Sequence, residues 1–277
     1  MTNRLLISFS GGRTSGYMTH RLLQEVSEQT EVKVVFANTG QEHEETLKFV
    51  KACDDYFKFG TVWLEARPDE NKNGRNGTAD VVTFDTASRD GAPFERAIAK
   101  RGIPNLSFPH CSEELKKRPI DRWLRSVGWA AGTYQTAIGI RADEIDRMSP
   151  GAEERKVVYP LVRWGVKKPF ILDWWRQQDF DLELPEHYGN CVWCWKKSLR
   201  KLTTLAAETP DIFDFPARME EKYSEHGPGV LDRPRRFFRG KRSVSDLLKL
   251  ANEPFTPFVD AAYEESNGCT ESCEVPL

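Results

Sequence analysis

At 277 residues the chain suits one large domain, or a domain with a smaller appendage, and can bury a sizeable core. Its 40 basic and 42 acidic residues leave a net charge of −2, which argues against a generally basic nucleic-acid surface and leaves room for a local basic patch. No apolar run is long enough to span a membrane and the first residues hold no signal-peptide core, so the cytoplasm is the expected location. Six cysteines in such a chain point to metal, cluster or redox chemistry more than to structural disulfides.

Residues 4–9 read as a short apolar strand that stops at Gly11-Gly12, after which Tyr17, Met18, Leu22 and Leu23 begin a helical pattern. A strand, a glycine turn and a helix start together make an anion site. Backbone N–H groups approach a phosphate closely, and the helix N-terminus adds partial positive charge. From Ser8 onward, Ser10, Thr14 and Ser15 offer hydroxyls and Arg13 a cation. The Gly-Lys-Ser/Thr ending of a Walker loop is absent.

Residues 31–37 read as a second strand, ending in a turn at Asn38-Thr39-Gly40. Residues 42–57 follow as a helix with Leu47, Val50 and Cys53 on one face, and 61–64 as a third strand. This alternation predicts a parallel sheet with helices on both faces. Ligands of such sheets sit beyond the carboxyl ends of the strands, so Ser10–Ser15 and Asn38–Gly40 share one rim.

Residues 67–93 are polar and rich in Gly, Asn and Asp and read as a surface insertion. A short helix is expected over 94–101, a helix interrupted near its start by Pro119 over 113–127, a strand over 133–140, an extended segment over 157–162 and a helix over 169–178. The strand over 133–140 again ends in a polar cluster, Gly139 to Glu144, and Arg141 is placed there to meet a ligand. Beyond lie a basic helix over 195–207, a helix over 215–223, the basic run Arg233–Arg242, and a helix over 244–251. The expected division is a nucleotide-type domain over 1–200, a helical and basic extension over 201–260 and a disordered tail over 261–277.

Cys191-x-x-Cys194 is a compact chelating or redox pair, open to zinc, an iron–sulfur cluster or dithiol chemistry. Cys111 is the next candidate ligand, with His110 beside it; a lone histidine such as His187 is more often a core or surface residue. Cys53 reads as core. Lys116 stands near enough to Cys111 to balance the charge of a cluster or phosphate. Phe237 and Phe238 within the basic run suit a nucleic acid or a core equally.

These motifs, in this order, resemble the adenine-nucleotide alpha-hydrolase-like PP-loop superfamily, and within it the phosphoadenosine-phosphosulfate (PAPS) reductase-like family. Ser10 to Ser15 stands where that family has Ser-Gly-Gly-x-Asp-Ser, and Asn38-Thr39-Gly40-Gln41-Glu42 resembles its Asp-Thr-Gly-x-Glu. Cys111, Lys116 and Pro119 resemble its Cys-Cys-x4-Lys-x-x-Pro, Gly139-Ile140-Arg141 its Gly-Ile/Leu-Arg, and Pro160-Leu161 with Trp164 its Pro-Leu-x-x-Trp. Cys111 and Cys191 stand eighty positions apart, like the pattern that holds a 4Fe–4S cluster in adenosine phosphosulfate (APS) reductase-type members. Thr14, Asn38 and His110 depart from the family's Asp, Asp and Cys.

The resemblance implies an α/β fold of about five parallel twisted strands flanked by helices, with a helical C-terminal extension. It implies ATP, APS or PAPS on Ser8, Ser10, Gly11, Gly12, Arg13, Thr14, Ser15, Asn38, Thr39, Gly40, Glu42, Gly139 and Arg141, with Mg2+ as the accompanying cation. A 4Fe–4S cluster, or zinc in its place, is implied on Cys111, Cys191 and Cys194 with His110 as the candidate fourth ligand. Arg13, Lys116, Arg141 and Cys273 are the candidate catalytic residues. The favoured activity is ATP-dependent adenylation and sulfur transfer to an acceptor such as a nucleobase, with tRNA or DNA held on Arg233–Arg242. One alternative is an APS/PAPS reductase that uses a tail cysteine, Cys273 or Cys269, and thioredoxin; the other is a non-catalytic zinc- and nucleotide-binding module. A sulfur donor and a second copy of the chain are the further expected partners.

Overall fold

The computed structural model describes residues 3–69, 76–227 and 233–259. Cys269, Cys273 and the expected tail lie outside the described residues. Asn3–Ser8 (β1), Thr30–Asn38 (β2), Val62–Arg67 (β3), Thr78–Val82 (β4), Gln135–Ala137 (β5) and Val157–Val158 (β6) form one sheet in the order β4-β3-β2-β1-β5-β6. Neighbouring strands are parallel except β3 and β4. The α/β architecture is as expected, with one strand more.

The extra strand is β4, inside the stretch read as a polar insertion. It lies on the sheet edge and Val81 is exposed, so it carries no continuous apolar run by which to recognise it. The central strands do carry one, because successive side chains serve opposite faces. Ile7, Val34 and Phe36 pack toward Arg13–Glu25 (α1) and Glu44–Phe57 (α2), while Leu6, Val35 and Leu64 pack toward the opposite side.

Ala92–Arg101 (α3) follows the insertion, and Arg118–Ser126 (α4) covers that opposite face with Ile120, Leu124 and the nearby Trp129. Pro119 has no N–H to give the Leu115 carbonyl, and the turn ahead of it, Glu113–Lys117, widens into a π-helix. Two expected extended segments are shorter than their apolar patterns: β5 keeps only Gln135–Ala137, and β6 ends where Pro160 starts the helical turn Pro160–Arg163 (α5). Lys168–Arg176 (α6) packs on α1, where the Trp175 indole donates to the Arg13 carbonyl at 2.8 Å.

Leu199–Glu208 (α7) starts four residues later than the basic pattern suggests. Residues 191–197 close consecutive turns instead, Cys194 N to Cys191 O at 2.9 Å and Lys197 N to Cys194 O at 3.0 Å, and Ser198 caps the helix. Asp214–Tyr223 (α8) and Val244–Ala251 (α9) complete the α-helices of the described residues. These three helices share one core with Cys111, Cys191, Cys194 and Trp193. Phe237 and Phe238 belong to that core and are almost fully buried, so they offer no face to a base; Arg233, Arg239 and Lys241 of the same run are exposed.

Buried Glu220 holds this segment. Its carboxylate accepts from Phe237 N at 3.1 Å and Val244 N at 3.0 Å, and burial pushes its pKa above 4.5. Glu220→Ala leaves two buried N–H groups without partners and should cost about 2–4 kcal/mol in urea denaturation. A carboxyl raised in the folded state adds stability that is full below the unfolded pKa and is lost as pH rises through the folded one. Glu220→Gln should therefore flatten the fall in stability above about pH 4.5.

Candidate functional site

The turn after β1 is built by two glycines with different duties. Gly11 has φ +80°, and a Cβ there would lie 2.8 Å from Thr46 Cγ2, so its bareness serves the fold. Gly12 caps α1 with φ −111°, and a Cβ there would meet nothing within 4 Å. Open space thus lies against the N-terminus of a 13-residue helix with no acidic residue in its first turn. Ser15 knits the turn, its hydroxyl 2.9 Å from Ser10 Oγ and 3.1 Å from the Gly12 carbonyl that accepts from it.

Arg141 reaches this loop from the chain beyond β5 and Gly139. Its Nη1 donates to Thr14 Oγ1 at 3.3 Å, while Nε and Nη2 donate to Asp143 at 3.0 and 3.3 Å. The hydroxyl at position 14 accepts from the arginine where the family pattern has a carboxylate. Arg13 is placed otherwise. Its guanidinium forms a bidentate pair with Asp181, at 2.6 and 3.0 Å, and donates to the Leu182 carbonyl, so the cation expected on the loop is turned to the segment after α6. Arg141 is the cation that the fold brings to Thr14.

The second rim motif leaves β2. Asn38 is fully buried; its amide donates to Glu65 Oε1 on β3 at 2.6 Å and to the Ser88 carbonyl at 2.9 Å. Glu65 also accepts from Ser88 N at 2.6 Å and Ser88 Oγ at 2.8 Å. The Asn38 side chain is thus committed to the neighbouring strand. An aspartate there would put two carboxylates against each other, which gives a physical reason for the departure from Asp-Thr-Gly. Gly40 adopts φ +76° against the backbone of Gly91, itself at φ +81°, so the end of the polar stretch packs directly under this turn.

Thr39 and Glu42 close the turn. Thr39 N and Oγ1 both donate to the Glu42 carboxylate at 2.9 Å. Desolvation pushes the Glu42 carboxyl up, opposed by Lys116 and by the Thr39 donors. Thr39 Oγ1 also lies 3.4 Å from Cys191 Sγ. Glu42 and Cys191 pair as an antiparallel bridge, Val192 N donates to the Gln41 carbonyl at 2.9 Å, and the Trp193 indole donates to Gln41 Oε1. The cysteine turn is therefore hydrogen-bonded to the rim loop itself.

Cys111, Cys191 and Cys194 line one cavity with Thr39, Ser112 and Lys116 under walls of Phe94, Leu115, Trp193 and Trp195. His110 is not among the lining residues: its Nε2 lies 2.9 Å from the Gly102 carbonyl, and burial lowers its pKa to about 4. Among the described residues no three His, Cys, Asp or Glu side chains stand together as a metal-holding group. Cys53 lies in the sheet core, where burial pushes its thiol up.

Residues 4–166 match the family described as the phosphoadenosine phosphosulfate reductase domain. This chain belongs to that family. It is also 31% identical over 278 residues to the "Uncharacterized nin region protein ORF290" of Escherichia phage lambda, across 98% of this chain and 94% of that relative.

The Gly11–Gly12 turn follows β1, the Gly40 turn follows β2, and Cys111, Cys191 and Cys194 line one cavity. Four other participants escaped the motif reading. Glu65 and Ser88 sit 27 and 50 positions from Asn38, in segments without a signature. Gln41 filled a motif's variable place, and Ser112 stood unremarked beside Cys111. No helix of the described residues is long and apolar enough to cross a membrane.

Asn38→Asp should destabilise the protein by about 1–3 kcal/mol at neutral pH, the usual cost of an uncompensated buried polar or charged contact. Adding Glu65→Gln should restore most of that loss, measured as denaturation midpoints of the single and double variants.

Proposed function

We propose that the chain is an adenine-nucleotide-dependent enzyme of sulfur chemistry. ATP would lie on the Gly11–Gly12 turn, and sulfur would be handled at the cavity of Cys111, Cys191 and Cys194. The observation that carries this reading is the direct pairing of the rim loop with the cysteine turn, Glu42 with Cys191 and Gln41 with Val192. A nucleotide on the rim and a sulfur at the thiols would share one rigid frame.

In this reading an acceptor oxygen attacks the α-phosphorus of ATP and pyrophosphate leaves with its magnesium. Backbone N–H groups of the turn, the α1 N-terminus and Arg141 meet the charge that develops on the phosphates. Sulfur at the oxidation level of sulfide then attacks the carbon, AMP leaves with the oxygen, and no net electron transfer is required. Burial of the three thiols among apolar side chains keeps water from competing.

The three thiols do not converge as a site for a single ion, but the donor set of the cavity is of the kind that takes an iron–sulfur cluster. Three soft donors line the cavity with the ammonium of Lys116. Ser112 Oγ and Trp195 Nε1 are buried there without hydrogen-bond partners, which favours a bound group bearing acceptor atoms over a bare zinc ion. Cys111, Cys191 and Cys194 would hold the group, and when bound it would supply an iron that can carry the transferred sulfur.

Gly12→Val should reduce ATP affinity at least tenfold in calorimetry and abolish conversion of ATP to AMP and pyrophosphate. Its melting temperature should change little, because a Cβ at this position meets no protein atom. Unchanged ATP affinity would contradict the placement. Sulfite release from APS or PAPS in place of pyrophosphate release from ATP would favour reductase chemistry.

A further inference from the structure

Ser112 and Trp195 come from different segments, one following Cys111 and the other following Cys194, and each is a ligand candidate's immediate neighbour. Both line the thiol cavity, and both are almost fully buried, at 5% and 2% exposure. Among the described residues six buried side-chain polar atoms have no hydrogen-bond partner, and the Ser112 hydroxyl and the Trp195 indole N–H are two of them. A buried orphaned donor is disfavoured, and two at one cavity call for a cause. The indole N–H can only donate and the hydroxyl can donate, so one acceptor group could satisfy both. The thiols and the Thr39 hydroxyl at the cavity can accept, but none lies within hydrogen-bonding reach of either atom, and a bound group bearing acceptor atoms would satisfy both.

We propose that Ser112 and Trp195 are positioning residues that donate hydrogen bonds to negatively charged sulfur atoms of the group held by Cys111, Cys191 and Cys194. This rests on the reading of the cavity as a cluster site. Hydrogen bonds to cluster sulfurs stabilise the more negative, reduced state, so the pair sets the potential as well as the retention of the group. The family's motifs name neither residue.

The full chain, purified anaerobically and loaded with ferrous iron and sulfide, gives the test. Iron per chain, midpoint potential and the rate of iron loss to a chelator are compared for the wild type, Ser112→Ala and Trp195→Phe. The variants should load the same iron, shift the midpoint to more negative potential and lose iron about tenfold faster. Unloaded Ser112→Ala should be no less stable than the unloaded wild type, since it removes a buried hydroxyl with no partner. A purely packing role would leave the potential unmoved. Iron-loaded variants with wild-type potential and wild-type iron loss overturn the proposal while leaving the cluster site standing. A wild type that takes up no iron with sulfide overturns the cluster site and this proposal together. Should Trp195→Phe fail to fold, Ser112→Ala decides between these outcomes.

Discussion

The organisation of this molecule depends on the clamp around Gln41. Its backbone N–H lies within 3.3 Å of both the Thr39 hydroxyl and the Glu42 carboxylate, its carbonyl accepts from Val192 at 2.9 Å, and its side chain accepts from Trp193 and donates to the Gly40 carbonyl at 2.8 Å. Residues 152 positions apart are thereby held as neighbours. Hydrogen bonds of this kind contribute only about 1 kcal/mol each in net terms, but a buried amide or indole left without them loses more. The arrangement is thus favoured less by the strength of its bonds than by the cost of breaking any one of them. Trp193 adds packing, stacked on Phe215 and edge-on to Phe237, so the C-terminal helices brace the cysteine turn from behind.

The same economy of partners explains the rim's departures from the family pattern. With Glu65 directly opposite in register, position 38 needs a donor, and asparagine supplies two N–H bonds while its carbonyl oxygen still accepts from Gly40 N at 3.2 Å. At position 14 a hydroxyl can accept from Arg141 without fixing that cation in a full ion pair, and Arg141 already has Asp143 as its carboxylate. Both substitutions remove negative charge where nucleotide phosphates would lie, in keeping with an anion-binding rim.

Much of this was legible in the sequence, and for a physical reason. Continuous apolar runs, glycine turns and short cysteine spacings are local, so β1, β2, the Gly11–Gly12 turn and the Cys191 pair announce themselves. The resemblance of five ordered motifs carried the family and the shared rim. What escaped was decided by distant partners or by exposure. Arg13 has its carboxylate at Asp181, Asn38 has its acid on the next strand, and β4 sits at an edge where polar residues are tolerated. Phe237 and Phe238 suited a nucleic acid or a core equally in sequence, and only packing against α7–α9 assigns them to the core.

The central claim is that the glycine rim and the thiol cavity are one mechanical unit, joined through Gln41 and Trp193. The most direct measurement is the rate at which iodoacetamide labels Cys191, followed by peptide mass spectrometry with and without saturating ATP, in the wild type and in Trp193→Phe. ATP should slow labelling in the wild type and do so markedly less once the indole N–H is removed. A Cys191 labelling rate indifferent to ATP in the wild type would contradict the account.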